Sequence, residues 1–172
     1  MKMEHPECSL DGTHCQIGIV VSSFNEVVTG RLLAAAESTL NQLGTPQHHI
    51  HVIRVPGAFE IPLIAKTLAQ SRRFDAIICL GAVIRGETPH FDYICAETSR
   101  GIGRASFETG IPIIFGVLTT DTVDQAMERS GPPERNKGAD AARTAIEMAL
   151  LMKRLSKTNM RQSGFLREPT KS

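Results

Sequence analysis

A chain of 172 residues that is 41% hydrophobic is long enough to bury one ordinary core without disulfide staples, and its 19 basic and 18 acidic residues nearly cancel. That balance excludes a general polyanion binder, because no net field draws in nucleic acid or an anionic membrane surface. No basic segment leads into an apolar run at the N-terminus, and no stretch approaches the ~20 apolar residues needed to span a bilayer, so the expected location is the cytoplasm.

Residues 1–15 lack periodicity and read as an arm. Gln16 to Ser23 (QIGIVVSS) is a short apolar, β-branched run, as expected for a strand buried on both faces. After Phe24, Asn25 is placed to cap a helix in which Val28, Leu32, Ala36, Leu40 and Leu43 recur at helical spacing, with Gly44 and Pro46 as stops. A second unit has Ile50 to Val55 as strand, Pro56-Gly57 as turn and Ala58 to Gln70 as helix, with Pro62 early in the helix, where its missing N–H costs least. His48, His49 and His51 sit close together ahead of and within this strand. With no Cys or carboxylate beside them to complete a ligand set, they read as an exposed turn and strand start, and no metal site is expected.

The third unit starts with the strand Phe74 to Leu80, passes through a Gly-rich turn, and enters a helix over Asp92 to Thr109 that Gly110 ends. The fourth strand is Ile111 to Leu118. Thr119-Thr120-Asp121 offers a cap for a short helix to Arg129, which the loop Ser130-Gly131-Pro132-Pro133 breaks. A last helix over Lys137 to Lys153 carries Ala142, Ala145, Ile146, Ala149 and Leu150 on one face. The segment from Ser156 to Ser172 reads as a polar tail. Cys8, Cys15, Cys79 and Cys95 form no C-x-x-C pair and read as free thiols. Strands alternating with helices imply a parallel sheet with right-handed crossovers, giving an α/β three-layer αβα sandwich with a four-stranded parallel sheet over residues 16–155.

Ligands of such sheets bind beyond the carboxyl ends of the strands. Strand one delivers Phe24 and Asn25 there, and strand two delivers Gly57-Ala58-Phe59-Glu60. Strand three delivers Gly81-Ala82-Val83-Ile84-Arg85-Gly86-Glu87-Thr88-Pro89-His90, which ends in an acid, a hydroxyl and a histidine suited to moving protons near neutral pH. Strand four brings Phe115 near its middle, the next helix brings Arg129, and Lys137 opens the last helix. This inventory describes an aromatic surface for a flat ring, polar groups for a hydroxylated chain, an anion subsite and a proton-transfer group. The anion subsite would combine the Gly86 and Glu87 amides, the Thr88 hydroxyl and the Arg129 guanidinium. No Ser–His–Asp or Cys–His order argues for hydrolysis. Arg85, preceding the turn, reads as structural, an ion-pair partner of a neighbouring subunit.

The blocks Phe24-Asn25, Val55 to Pro62, Gly81 to Tyr93, Phe115 to Thr120, Glu128-Arg129 and Asn136-Lys137-Gly138 together resemble the 6,7-dimethyl-8-ribityllumazine synthase family, in one colinear order from Gln16 to Leu155. The resemblance implies a flavodoxin-like fold. It also implies condensation of 5-amino-6-(D-ribitylamino)uracil with 3,4-dihydroxy-2-butanone 4-phosphate to the lumazine, phosphate and water, the penultimate step of riboflavin biosynthesis, with no metal or organic cofactor. By the same resemblance Phe24 would stack on the pyrimidine, with Asn25 beside it. Ala58, Phe59 and Glu60 would hold the ribityl chain, Ala82, Val83 and Ile84 would line the ring pocket, and Phe115 would arrive from an adjacent subunit. Gly86, Glu87 by its amide, Thr88, Arg129 and Lys137 would take the butanone phosphate, and His90 would be the general acid/base. The implied assembly is a homopentamer, which some members stack into decamers or close into icosahedral shells. Arg135 stands where the glycine associated with shells would be, so the loop argues against a shell and leaves the pentamer untouched. Riboflavin synthase is the implied candidate partner. The alternatives are a fold-related riboflavin synthase, which would make riboflavin from lumazine alone, and a lumazine- or flavin-binding shell without catalysis.

Overall fold

Apolar residues run without interruption from Ile17 to Val21 in β1 (Ile17–Ser22), whose residues are all buried, and through β3 (Ala76–Ile84), most of which is buried. Burial on both faces is the mark of central strands in a parallel sheet. The computed structural model describes residues 10–132 and 134–162. It adds β2 (Ile50–Val55) and β4 (Ile113–Thr120) as the edges of an all-parallel sheet ordered β2-β1-β3-β4. The order reverses direction after β2, which makes the carboxyl ends of β1 and β3 a topological switch point.

Alternation along the strands sorts the core into two layers. Ile17, Ile19 and Val21 with Ala76, Ile78, Leu80 and Ala82 face α1 (Glu26–Gln42), α4 (Val123–Arg129) and α5 (Lys137–Gln162). Val20, Ile77 and Cys79 face α2 (Ile61–Gln70) and α3 (His90–Thr109). Each large aliphatic side chain so enclosed stabilises the fold by about 1.5–3 kcal/mol relative to exposure. Small residues set the helix spacing. Ala36 of α1 meets a layer that includes Ala142, Ala145 and Ala149 of α5, and a Cβ added at Gly138 would stand 2.0 Å from the Leu32 carbonyl oxygen.

Several boundaries differ from those the sequence suggests, each for a local reason. β3 runs on to Ile84 because Gly81–Ile84 continue the ladder opposite Val117–Thr120, so Gly81 is strand and not turn. β4 begins at Ile113 and not at Ile111, since Pro112 has no N–H to give the ladder, although its carbonyl still accepts from Ile77. α2 is preceded by a 3-10 turn over Ala58–Glu60, with Pro62 in the helix's first turn. α3 starts two residues early, at His90, because Pro89 is held at φ −63°, already suited to a helix start. The cap of α4 is Thr122, whose hydroxyl accepts from Gln125 N at 3.2 Å while Gln125 Oε1 accepts from Asp121 N, a reciprocal arrangement of the capping-box kind. Asn25 precedes α1 but does not cap it with its side chain. It adopts the left-handed region at φ 59°, and its Nδ2 donates to the Ala82 carbonyl at 2.9 Å.

The ends of the chain are also more structured than their composition suggests. Cys15 is buried in the core, and Gly12 N donates to the Leu43 carbonyl. Lys153 Nζ donates both to the His14 carbonyl and to Asp75 Oδ2, each at 2.8 Å, and the same carboxylate oxygen accepts from Gln16 N. α5 continues past Lys153 to Gln162. Residues 1–9, with Cys8, Pro133, and the rest of the expected tail lie outside the described residues. Cys15 and Cys79 are buried free thiols and Cys95 is partly buried; burial raises all three pKa values. His48 and His49 lie in a 3-10 turn and His51 in β2, its ring edge-on to Phe74.

Candidate active site

The carboxyl ends of β1, β2 and β3 open into a cleft of about 670 Å³. Phe24 after β1, Ala58, Phe59 and Glu60 after β2, Ala82, Val83 and Ile84 at the end of β3, and Gly86, Thr88 and His90 beyond it all line this space. Ten of the residues singled out in the sequence thus converge although up to 66 positions separate them. The backbone explains the convergence. β1 and β2 end level with each other at Ser22 and Val55, and β3 runs past them to Ile84, so its last residues wall the space beyond the two shorter strands.

Phe24 and Phe59 present their rings to solvent at the cleft, 70% and 55% exposed. Apolar rings held open beside a concave site are a surface for a flat partner. Glu60 lies at the start of α2, where its carboxylate can accept hydrogen bonds from hydroxyls or amines. The turn Gly86 to Pro89 and His90 itself are exposed, and His90 occupies the first position of α3. Amides in the first turn of a helix have no intrahelical acceptor, so this end of α3 favours a bound anion. Asn25 and Glu87 do not line the cleft: Asn25 is tied to the Ala82 carbonyl, and Glu87 stands exposed in the turn. Gly57, which strand two was expected to deliver here without a role of its own, lines it as well, as do Phe91 and Ile94, which were not singled out from the sequence. Ile94 follows His90 by one helical turn, and that spacing is the signal that would have found it.

Phe115, Arg129 and Lys137 belong to a different cleft, of about 550 Å³, which runs along the outer edge of β4 between the end of α4 and the start of α5. Phe115 is 44% exposed there. Arg129 Nη1 donates to the Gln125 carbonyl at 3.1 Å, which uses one donor of a guanidinium fork that carries several. Lys137 is paired with Asp140 at 2.9 Å, and Asp140 and Thr144, also unforeseen, complete the wall. Within one chain, then, the aromatic and histidine group does not meet the cationic group, and the expected anion subsite is not assembled: Gly86 and Thr88 line one cleft, Arg129 lines the other, and Glu87 lines neither.

Behind the second cleft, buried Asn136 organises the loop after α4. Its Nδ2 donates to the Ser130 and Gly131 carbonyls, and its Oδ1 accepts from Gly138 N at 2.8 Å. Arg135 is exposed and paired with Glu128 at 2.9 Å.

A parallel αβα sheet with an open cleft at its switch point, walled by aromatic rings and ending in a histidine-bearing turn, defines a small-molecule enzyme of the flavodoxin-like class. The family model described as 6,7-dimethyl-8-ribityllumazine synthase matches residues 14–153. A curated 6,7-dimethyl-8-ribityllumazine synthase of Syntrophus aciditrophicus is 58% identical over 140 residues, which cover 81% of this chain and 91% of that protein. The chain belongs to the 6,7-dimethyl-8-ribityllumazine synthase family.

Proposed function

We infer that the chain condenses 5-amino-6-(D-ribitylamino)uracil with 3,4-dihydroxy-2-butanone 4-phosphate to 6,7-dimethyl-8-ribityllumazine, phosphate and water, the penultimate step of riboflavin biosynthesis. Family membership and the 58% identical relative support the reaction. One observation carries the site: the two clefts are complementary halves, one aromatic with a proton-transfer group, the other cationic with a further exposed ring. Joined between neighbouring copies, they make one site whose pyrimidine lies against Phe24, with Asn25 fixing the adjoining backbone, and is closed by Phe115 of the next chain. Ala58 to Glu60 hold the ribityl chain, and Ala82 to Ile84 line the ring. The phosphate lies between the turn (Gly86, the Glu87 amide, Thr88) and Arg129 and Lys137 of the neighbour.

The amine on the uracil ring attacks the ketone, and the carbinolamine loses water to an imine. Phosphate then leaves, and the ribitylamino nitrogen closes the second ring with loss of a further water. Each step transfers a proton, and His90 is the group placed to give and take it, an effect of about 10²–10⁴-fold for a positioned acid/base. Holding two mutually reactive substrates in contact supplies the larger share of the acceleration.

A site completed by a neighbour is complete in every copy when the copies close on themselves, and the proposed assembly is the homopentamer of the family acting in the cytoplasm, with riboflavin synthase as the partner that consumes its product. Arg135 in the loop before α5 favours the pentamer over a shell. The test is to mix purified protein with both substrates and follow lumazine absorbance together with phosphate release. Acceleration of both above background is expected. Lumazine binding without acceleration, or riboflavin formed from lumazine alone, would replace this function with one of the two alternatives.

A further inference from the structure

Arg85 follows the last residue of β3 and precedes the turn that leads to His90, and it is anchored from three sides. Its Nε donates to Asp121 Oδ1 at 2.8 Å, its Nη1 donates to Asp92 Oδ1 at 3.2 Å, and its guanidinium carbon lies 4.1 Å from the centre of the Phe91 ring. Its main-chain N–H donates to the Thr120 carbonyl at 2.9 Å. Phe91 and Asp92 are the two residues after His90 in the first turn of α3, and Asp121 directly follows β4.

We propose that Arg85 is a positioning residue for the condensation, pinning the first turn of α3, and with it the His90 imidazole, to the end of β4. The proposal rests on the acid/base role given to His90 above. Stability does not account for the arrangement. The Arg85, Asp92 and Asp121 side chains are 42%, 62% and 67% exposed, and such pairs contribute at most about 1 kcal/mol each. Geometry does. A planar guanidinium addresses two carboxylates on different elements while its face lies on an aromatic ring, which the point charge of lysine cannot do. The turn needs such a tie: Gly86 lies in open space, with nothing within 4 Å of an added Cβ, and every residue from Gly86 to His90 is exposed. A displacement of about 1 Å in a reacting group costs up to about 10²-fold in rate.

The test uses Arg85→Lys and Asp121→Asn, each alone and combined with His90→Ala, with kcat, both KM values and the thermal midpoint measured on the assembled protein. R85K is expected to lower kcat about 10- to 100-fold, with a midpoint within about 4 °C of the parent. D121N, which removes one arm of the clamp and leaves the arginine, reproduces part of that loss and carries the test if R85K does not fold. In the H90A background either substitution changes kcat less than about twofold, because the group being positioned is gone. Losses that multiply in that background, or a parental kcat in R85K, overturn the proposal while His90 keeps its role. An H90A protein with parental kcat overturns both together.

Discussion

His90 is the first residue of an α-helix, exposed at the mouth of an aromatic cleft, with Ile94 one turn below it on the same wall. A histidine so placed can reach substrate protons without being part of the packing that holds the helix. Its replacement is therefore expected to separate chemistry from folding. His90→Ala should lower kcat by no more than about 10²–10⁴-fold at saturating substrates, with the thermal midpoint unchanged and both KM values within a few-fold of the parent. Initial-rate lumazine assays check this, and a large rise in either KM at constant kcat would make His90 a binding group. Phe24 and Phe59 act differently, because they present surface and not protons. Their place at the cleft was legible from position, as aromatic residues in the turns that follow β1 and β2. The place of Phe91 at the cleft was not, since it depends on α3 beginning at His90 and not at Asp92.

At the scale of elements, the two helical layers are held by opposite means. α1 and α5 approach through small residues, and the closest point is Gly138 against the Leu32 carbonyl. Gly138→Ala forces that backbone apart and is expected to cost about 3 kcal/mol, read as a lowered urea midpoint with unchanged m. The layer of α2 and α3 adds a charged tie: Glu108 on α3 accepts from Lys66 of α2 and from Arg104 of its own helix, each at 2.6 Å. Those two contacts, Lys66 first, draw the Glu108 pKa from 4.5 down to about 2. A carboxyl lowered in the folded state adds stability above its unfolded pKa and loses it as pH falls through the folded value. Glu108→Gln should thus lower the thermal midpoint at pH 7, and the gap to the parent should close between about pH 5 and pH 2. A gap that persists undiminished at pH 2 would mean the substitution acts through packing. Such ties between helices had no local signature. The strands and the five α-helices did, through β-branched runs, cap and stop residues, and recurrences such as Val28, Leu32, Ala36 and Leu40. The end of β3 was missed because Gly81 suggests a turn when read locally, whereas its ladder partner Val117 lies 36 residues away.

For the molecule as a whole, the division of the site residues between two clefts is the fact with most reach. The sequence suggests Arg129 and Thr88 as one anion subsite because Thr88 follows β3 and the helix after β4 was expected to bring Arg129 to the same end of the sheet. It could not assign them to separate sides of the sheet, since that depends on β4 being an edge strand. If sites are shared between copies, inactive halves can complement each other. His90→Ala and Arg129→Ala chains, unfolded together and reassembled, should form about a quarter of their sites with both groups intact under random mixing. The turnover at limiting butanone phosphate should then exceed that of either parent assembly. A mixture that gives only the average of its parents would place each site within one chain.

The outer edge of β4 is already the wall of a cleft, lined from Ile113 to Thr119 with two cationic side chains above it. A strand pairing along this edge would fill that cleft and cover Arg129 and Lys137. The sheet therefore has only one growing margin, β2, and a like copy cannot add edge to edge at β4. Unprotected strand edges are where sheet proteins aggregate. Here the proposed butanone phosphate half-site lies along one of them, so the feature assigned to catalysis also gives the sheet a direction and guards it against growing into a fibre.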